Sequence, residues 1–298
     1  MAASKTVVRS IFSSGLFNGK VAIVTGGATG IGKAIAQELL TLGCKVMIAS
    51  RNVERLAEAT VEMRDIAHEN SPAEIDHVQC NIRKEEQVQN LISSTLARYG
   101  KLDFLVNNGG GQYLTELADI RTKGWNAVIE TNLTGTFLCC REAFNQWMRD
   151  NGGSIVNIIV TMDRGFPMMS HSGAARAGVE NLTKSMAIEW AEHGVTINCV
   201  APGGLIYSET AAKNYGDRDI FNEVTAITPV KRLGNPEEIS APVCFLLSPA
   251  ARLISGITLT VDGGSSLYRS LWSIPDHEKN KAFSWKEDLH APKGKSKL

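Results

Sequence analysis

The sequence predicts an α/β protein: one doubly wound domain on a seven-stranded parallel sheet. Three observations carry this expectation. From about Lys20, short β-branched runs alternate with stretches of helical period. A glycine-rich turn, GGATGIG (26–32), joins the first such run to the first helical stretch. No internal repeat or low-complexity linker divides the 298 residues. Strands that alternate with helices of this length form βαβ units, and such units build a parallel sheet covered on both faces.

The elements follow in order. VAIVT (21–25) is a continuous apolar run, as a strand buried on both faces requires. Ile31, Ala34, Ile35 and Leu39 form one stripe of the helix after it, and Gly43 stops that helix. KVMIAS (45–50) is the second strand, and a charged helix spans about 53–68. HVQCNI (77–82) reads as the third strand, before a helix marked by Val88, Leu91, Ile92, Leu96 and Tyr99 that ends at Gly100. LDFLVNN (102–108) is the fourth, and a long helical pattern runs from Trp125 to Met148. SIVNIIV (154–160) is the fifth, a helix spans about 172–192, and VTINCVAP (195–202) is the sixth. After a loop-rich segment, Asn235 and Pro236 read as cap and first position of a helix over 236–247, which Pro242 should kink or shorten. ITLTVDGG (257–264) is the seventh strand. The chain divides into an extension (1–18), a dinucleotide-binding domain (19–268) and a tail (269–298).

Composition excludes several classes. Lys and Arg number 31 and Asp and Glu 31, so no basic excess exists to neutralise the phosphates of a nucleic acid. No run reaches the 18 or so apolar residues that a membrane span needs. Cys44, Cys80, Cys139, Cys140, Cys199 and Cys244 lie scattered in apolar segments without metal-ligand spacing, which reads as reduced core thiols and no metal site.

Gly26, Gly30 and Gly32 stand between strand and helix with GxxxGxG spacing. Glycines there permit a tight turn and close backbone approach, and the helix N-terminus offers free N–H groups to a pyrophosphate. The second strand ends in Ser50-Arg51-Asn52. No carboxylate repels a ribose 2′-phosphate there, and the Arg51 guanidinium can grip one, so the expected cofactor is NADPH.

TGGATGIG (25–32), Asn81, NNGGG (107–111), Asn132 and VDGG (261–264), in this order, resemble the short-chain dehydrogenase/reductase superfamily over about residues 18–268. Within it, NNGGGQ (107–112), SIVNIIV, HSGAARAGV (171–179) and NLTKS (181–185) look like the peroxisomal trans-2-enoyl-CoA reductases. The resemblance implies a Rossmann-type fold and NADPH-dependent reduction of the 2,3 double bond of a fatty acyl-CoA. It further implies a homo-oligomer, often a tetramer. It places the cofactor against Gly26, Thr29, Gly30, Ile31, Gly32, Ser50, Arg51, Asn81, Ile82, Asn108, Gly109, Gly110, Pro202 and Gly203.

The superfamily's Ser and Tyr-x-x-x-Lys do not stand in this chain. The fifth strand runs into Ile159-Val160-Thr161 without a Ser. Aligning Arg176-Ala177-Gly178-Val179 with the superfamily's Lys-x-x-Val puts Ser172 at the Tyr position and Arg176 at the Lys position. A second frame, Glu180 to Lys184, keeps the Lys but has Glu for Tyr. Residues 172 and 176 share a helix face near the strand-five exit, where the cofactor lies, so Asn132, Ser172 and Arg176 form the expected catalytic set. An enoyl reductase tolerates such a loss. Its enolate needs fixed donors, which Ser172, Thr161 or backbone amides would supply, whereas an alkoxide needs an immediate proton. The alternatives are a 2,4-dienoyl-CoA or 3-ketoacyl-CoA reductase, or a catalytically silent NADP-binding scaffold.

In the loop after the sixth strand, Tyr207, Tyr215, Ile220 and Phe221 would line an acyl chain, and Lys213 and Arg218 would meet CoA phosphates. A surface helix pair with one apolar face fits the same residues. The chain closes on Ser296-Lys297-Leu298, the tripeptide read by the peroxisomal import receptor. Residues 269–298 hold seven basic and four acidic groups, so a basic tail follows a mildly acidic body. The first 18 residues, basic and without an acidic group, leave a mitochondrial presequence as the alternative address.

Overall fold

The computed structural model describes residues 8–70, 72–203, 206–207, 220–268 and 275–285. The strands are β1 (Val21–Thr25), β2 (Lys45–Ser50), β3 (Glu74–Gln79), β4 (Phe104–Asn107), β5 (Gly153–Ile158), β6 (Val195–Pro202) and β7 (Thr258–Val261). They form one parallel sheet of order β3-β2-β1-β4-β5-β6-β7, so strand order reverses between β1 and β4. Open α/β sheets bind ligands at that reversal, beyond the carboxyl ends of the strands.

The helices are α1 (Gly30–Thr41), α2 (Val53–Glu69), α3 (Glu85–Tyr99), α4 (Thr122–Ile129), α5 (Gly135–Ala143), α6 (Arg149–Asn151), α7 (Ser170–Glu189), α8 (Ile220–Ile227) and α9 (Glu237–Leu247). They cover both faces of the sheet. Ala22 and Val24 of β1 pack in one core with Ile35, Leu56 and Val243, while Ile23 between them packs in the other with Leu91, Leu138 and Met186. Alternate side chains of a strand point to opposite faces, which is why a doubly covered strand reads as an unbroken apolar run.

The sequence expectation departs from the structure at identifiable places. β3 lies three residues earlier than expected, paired from Lys45↔Glu74 to Ser50↔Gln79. It is the sheet edge, where Lys45 pairs with Glu74 (2.5 Å) and Arg98 reaches Glu74 (2.9 Å) and Asp76 (3.4 Å). Charges are favoured on an edge, so the apolar run 77–82 marks the strand's exit instead of its span. The long pattern after β4 is helical throughout but carries two π-helical turns, Glu130–Thr134 and Phe144–Met148. Asn235 is not the cap of α9: Pro236 takes that position, and the Asn235 N–H donates to Glu238 Oε2 at 3.0 Å. α9 also runs five residues past Pro242, forgoing one backbone donor.

Part of the expected extension packs on the domain. Phe17 is buried, stacks edge-on to Phe104 at 5.1 Å, and donates its N–H to Leu42 O at 2.9 Å. Val8, Phe12 and Leu16 pack against the same core, and the Ser10 hydroxyl reaches the buried Glu38 at 2.8 Å. At the other end Arg232 donates to Asn280 O at 2.9 Å, and Trp285 is buried. Ser296-Lys297-Leu298 lies outside the described residues. All six cysteines are free and buried. Among the described residues no helix is long and apolar enough to cross a membrane.

Candidate active site

The glycine turn sits where β1 feeds α1. Gly26 (φ 65°) and Gly30 (φ 52°) occupy the left-handed region that side chains disfavour. Gly32 faces Gly26 so closely that a Cβ would stand 2.3 Å from its carbonyl oxygen. Thr29, the N-cap of α1, is extended and makes no side-chain cap bond, and no acidic residue stands in the first turn, where Ile31 lies. The first-turn N–H groups are therefore left for an anion.

The neighbouring loops converge on this turn. The Thr25 hydroxyl accepts the N–H groups of Asn108 (3.0 Å) and Gly109 (2.9 Å), and Asn108 Nδ2 donates to Thr25 O at 3.1 Å. These bonds fix the loop after β4 to β1. Ile82 packs beneath Gly109 and Gly135. Asn81 forms a turn, accepting the Arg83 N–H on its side chain at 3.2 Å. At the end of β2, Ser50 donates to Asn52 O (3.4 Å), Asn52 caps α2 through the Arg55 N–H (2.6 Å), and Arg51 is exposed beside them. Pro202 O accepts the Thr161 N–H at 3.0 Å, and Gly203 N donates to Val261 O at 3.0 Å, which ties the ends of β5, β6 and β7 together. An uncapped helix start, a cationic side chain beyond β2 and close glycine backbone form a donor set that fits a phosphorylated dinucleotide.

Next to this cradle lies a polar cluster. Asn132 is buried in the first π turn, a helix defect found frequently at functional sites. Its carboxamide pairs with Gly111, accepting its N–H and donating to its carbonyl, both at 2.9 Å. The same Nδ2 donates to Ser172 Oγ at 3.3 Å. Arg176 Nε donates to Ser172 Oγ at 3.4 Å and Nη1 to Ile158 O at 2.8 Å. A Cβ on Gly110 would lie 2.9 Å from Arg176 Nη2, so the guanidinium packs close against this glycine. Burial lowers the Arg176 pKa to about 10, which still leaves it charged at neutral pH.

The structure thus brings Asn132, Ser172 and Arg176 together and sets the second frame apart. Lys184 is half exposed and pairs with Glu180 one turn away at 2.9 Å, on the outer face of α7. Sequence reading gave no role to Gln112, whose Oε1 accepts the Ser172 hydroxyl proton at 2.8 Å. With that proton engaged and two donors on its oxygen, Ser172 orients Gln112 and Arg176. The same bond engages Gln112 Oε1 and leaves Gln112 Nε2 without a protein acceptor among the described residues. Gln112 follows three glycines in a loop without regular structure, so no periodicity signals it. Thr161 donates weakly to Ala201 O at 3.4 Å, near Gly203. Of the expected acyl-binding residues, Tyr207 is exposed, while Lys213, Tyr215 and Arg218 and the side chains of Ile220 and Phe221 lie outside the described residues.

Known proteins are similar to this chain in sequence and fold. A family model described as Enoyl-(Acyl carrier protein) reductase matches residues 26–266. A peroxisomal 2,4-dienoyl-CoA reductase of Danio rerio is 33% identical over 259 residues, covering 86% of this chain and 85% of its own. A probable 2,4-dienoyl-CoA reductase of Bacillus subtilis is 35% identical, covering 83% and 97%. Among solved structures, a citronellol catabolism dehydrogenase of Pseudomonas aeruginosa superposes with a TM-score of 0.76 at 42% identity, covering 86% of this chain and 99% of its own. A variant of actinorhodin polyketide ketoreductase with NADPH gives 0.78 at 30% identity, covering 86% and 100%. The relatives thus carry the name of the dienoyl alternative, and with the family match and the fold they establish that this chain belongs to the short-chain dehydrogenase/reductase superfamily, an oxidoreductase family.

Proposed function

We propose that the protein reduces the carbon–carbon double bond conjugated to a fatty acyl-CoA thioester, with NADPH as reductant and trans-2-enoyl-CoA as first substrate. Bound NADPH supplies the hydride. The observation that carries this reading is the Gln112–Ser172–Arg176–Asn132 cluster, which offers fixed donors and positive potential but no Tyr at the acid position. Hydride addition to the β carbon leaves an enolate on the thioester oxygen, which needs such donors. Reduction of a ketone leaves an alkoxide, which needs a placed acid.

Within this reading each residue has a task. Gln112 Oε1 is engaged by Ser172 and Nε2 has no protein acceptor among the described residues, so Nε2 serves as the donor to the thioester oxygen. Arg176 stays charged and holds the nicotinamide ribose, Asn132 fixes Gly111 and Ser172, and water protonates the α carbon. Gly26, Thr29, Gly30, Ile31 and Gly32 would hold the pyrophosphate, and Ser50 and Arg51 the 2′-phosphate. Asn81, Ile82, Asn108, Gly109, Gly110, Pro202 and Gly203 would line the remainder. A second reading, 2,4-dienoyl-CoA reduction, is favoured by the names of the curated relatives. It demands the same enolate stabilisation.

The terminal Ser-Lys-Leu and the peroxisomal names of the eukaryotic relatives support a peroxisomal address and an import receptor as partner. The packing of residues 8–18 weighs against a cleaved mitochondrial presequence. The domain proper, proposed at 19–268, works as a homo-oligomer, with a tetramer expected. Following NADPH absorbance with 2-enoyl-, 2,4-dienoyl- and 3-ketoacyl-CoA tests the function. Oxidation with either of the first two supports it; oxidation with the ketone alone, or NADPH binding without any turnover, overturns it.

A further inference from the structure

We infer that His171 is a positioning residue, which clasps the 112–115 loop to α7 and thereby holds Gln112 on Ser172. The inference rests on the reading above that Gln112 supplies the donor to the thioester oxygen. His171 is the second residue of α7 and is fully buried. The N-cap, Met169, gives the first turn no side-chain acceptor, and the Ser172 N–H is shared between Met169 O and His171 Nδ1, each at 2.9 Å. A neutral ring bonded in this way carries its hydrogen on Nε2. That Nε2 is buried and has no protein partner. The ring lies against Tyr113, with centroids 4.4 Å apart at 89°.

The contact is paired with a second one. Tyr113 follows Gln112, and His171 precedes Ser172, so two successive loop residues meet two successive helix residues: Gln112 on Ser172 and Tyr113 on His171. The Thr115 N–H donates to Met168 O at 2.8 Å and closes the same seam. The far end of Tyr113 rests on Gly124 of α4, where a Cβ would stand 2.1 Å from the hydroxyl. The loop has no regular structure and follows Gly109, Gly110 and Gly111, so its backbone needs an external hold to place one carboxamide. An apolar ring would fill the same space without stranding a buried donor, which costs stability.

The test compares His171→Ala, Gln112→Ala and their combination in the full-length protein. Gln112→Ala should lower kcat about a hundredfold, as loss of an oxyanion donor does. His171→Ala should lower kcat about tenfold to a hundredfold through misplacement of Gln112, with NADPH affinity unchanged. In the Gln112→Ala background, His171→Ala should cost nothing further. His171→Phe, which keeps a ring on Tyr113, should return most of the turnover. Losses that multiply in the double variant overturn the inference. Tyr113 is partly exposed, so Tyr113→Ala runs the same cycle where His171→Ala fails to fold. Hydrogen exchange reads the clasp without activity: His171→Ala should speed exchange at Thr115 while the middle of α7 stays protected. Unchanged exchange at Thr115 contradicts the clasp even in a protein that reduces no enoyl-CoA, whereas an inactive wild type with a released loop contradicts only the functional reading.

Discussion

Replacing Arg176 by alanine separates the two catalytic frames. The guanidinium spans from Ser172 Oγ (3.4 Å) to Ile158 O (2.8 Å) and crowds Gly110. Its removal deletes two charge-assisted hydrogen bonds, each worth about 1.5–3 kcal/mol, and the one cation of the cluster. The Ile158 bond exists with and without substrate and bears mainly on stability, so the kinetic loss comes from the charge and from the freed Ser172–Gln112 pair. One preorganised electrostatic group is worth about 2.7–4 kcal/mol in the transition state, so kcat should fall a hundredfold to a thousandfold. Lys184→Ala removes only an exposed pair, worth about 1 kcal/mol of stability at most, and should leave turnover near wild type. Steady-state NADPH oxidation with a 2-enoyl-CoA measures both, with NADPH affinity and melting temperature recorded alongside. Because the Arg176 pKa, though lowered, stays at about 10, kcat/KM should show no ionisation of this group between about pH 6 and 9. Abolished turnover in Lys184→Ala together with near-normal turnover in Arg176→Ala would refute the assignment.

Other perturbations test other parts of the account. Arg51→Ala should weaken NADPH binding about tenfold to a hundredfold and leave NADH binding unchanged, by fluorescence titration; an equal loss for both cofactors contradicts a 2′-phosphate contact. Phe17→Ala should cost about 3–5 kcal/mol by urea denaturation, because Phe17 is fully buried against Phe104; a negligible change would mean that the leading segment is dispensable. Desolvation raises the pKa of buried Glu38, against the hydrogen bonds from Ser240 and Ser10 that lower it. The folded state then binds more protons than the unfolded one above the ordinary carboxylate value of 4.5, so this group's contribution to stability falls as pH rises through its folded pKa. Glu38→Gln should therefore melt higher than wild type at pH 8, with the gap narrowing toward acid; a gap that widens toward acid contradicts the sign.

How legible each feature was follows from which forces act locally. β1, β2 and β6 are buried on both faces, so apolarity alone marked their limits. β3 is held by cross-strand charges, which a search for apolar runs passes over. The cradle was readable because Gly26, Gly30 and Gly32 are required by backbone geometry, and Ser172 and Arg176 because residues four apart on a helix share a face. Gln112, Tyr113 and His171 were not. Their contacts form where a glycine-rich loop is pinned by Thr25 and Asn132 onto a helix 60 residues away in the Gln112–Ser172 case, and no local period encodes that meeting. The π turn around Asn132 and the docking of residues 8–18 are likewise set by tertiary packing.

The central claim is tested most directly by following the hydride. NADPH carrying deuterium at its transferable position should deliver the label to the β carbon of a saturated acyl-CoA formed from trans-2-enoyl-CoA, with an unlabelled proton from water at the α carbon, as mass spectrometry of the product would read. Deuterium found only on the carbinol carbon of a hydroxyacyl-CoA formed from the 3-ketoacyl substrate, with the enoyl-CoA returned unlabelled, would contradict it.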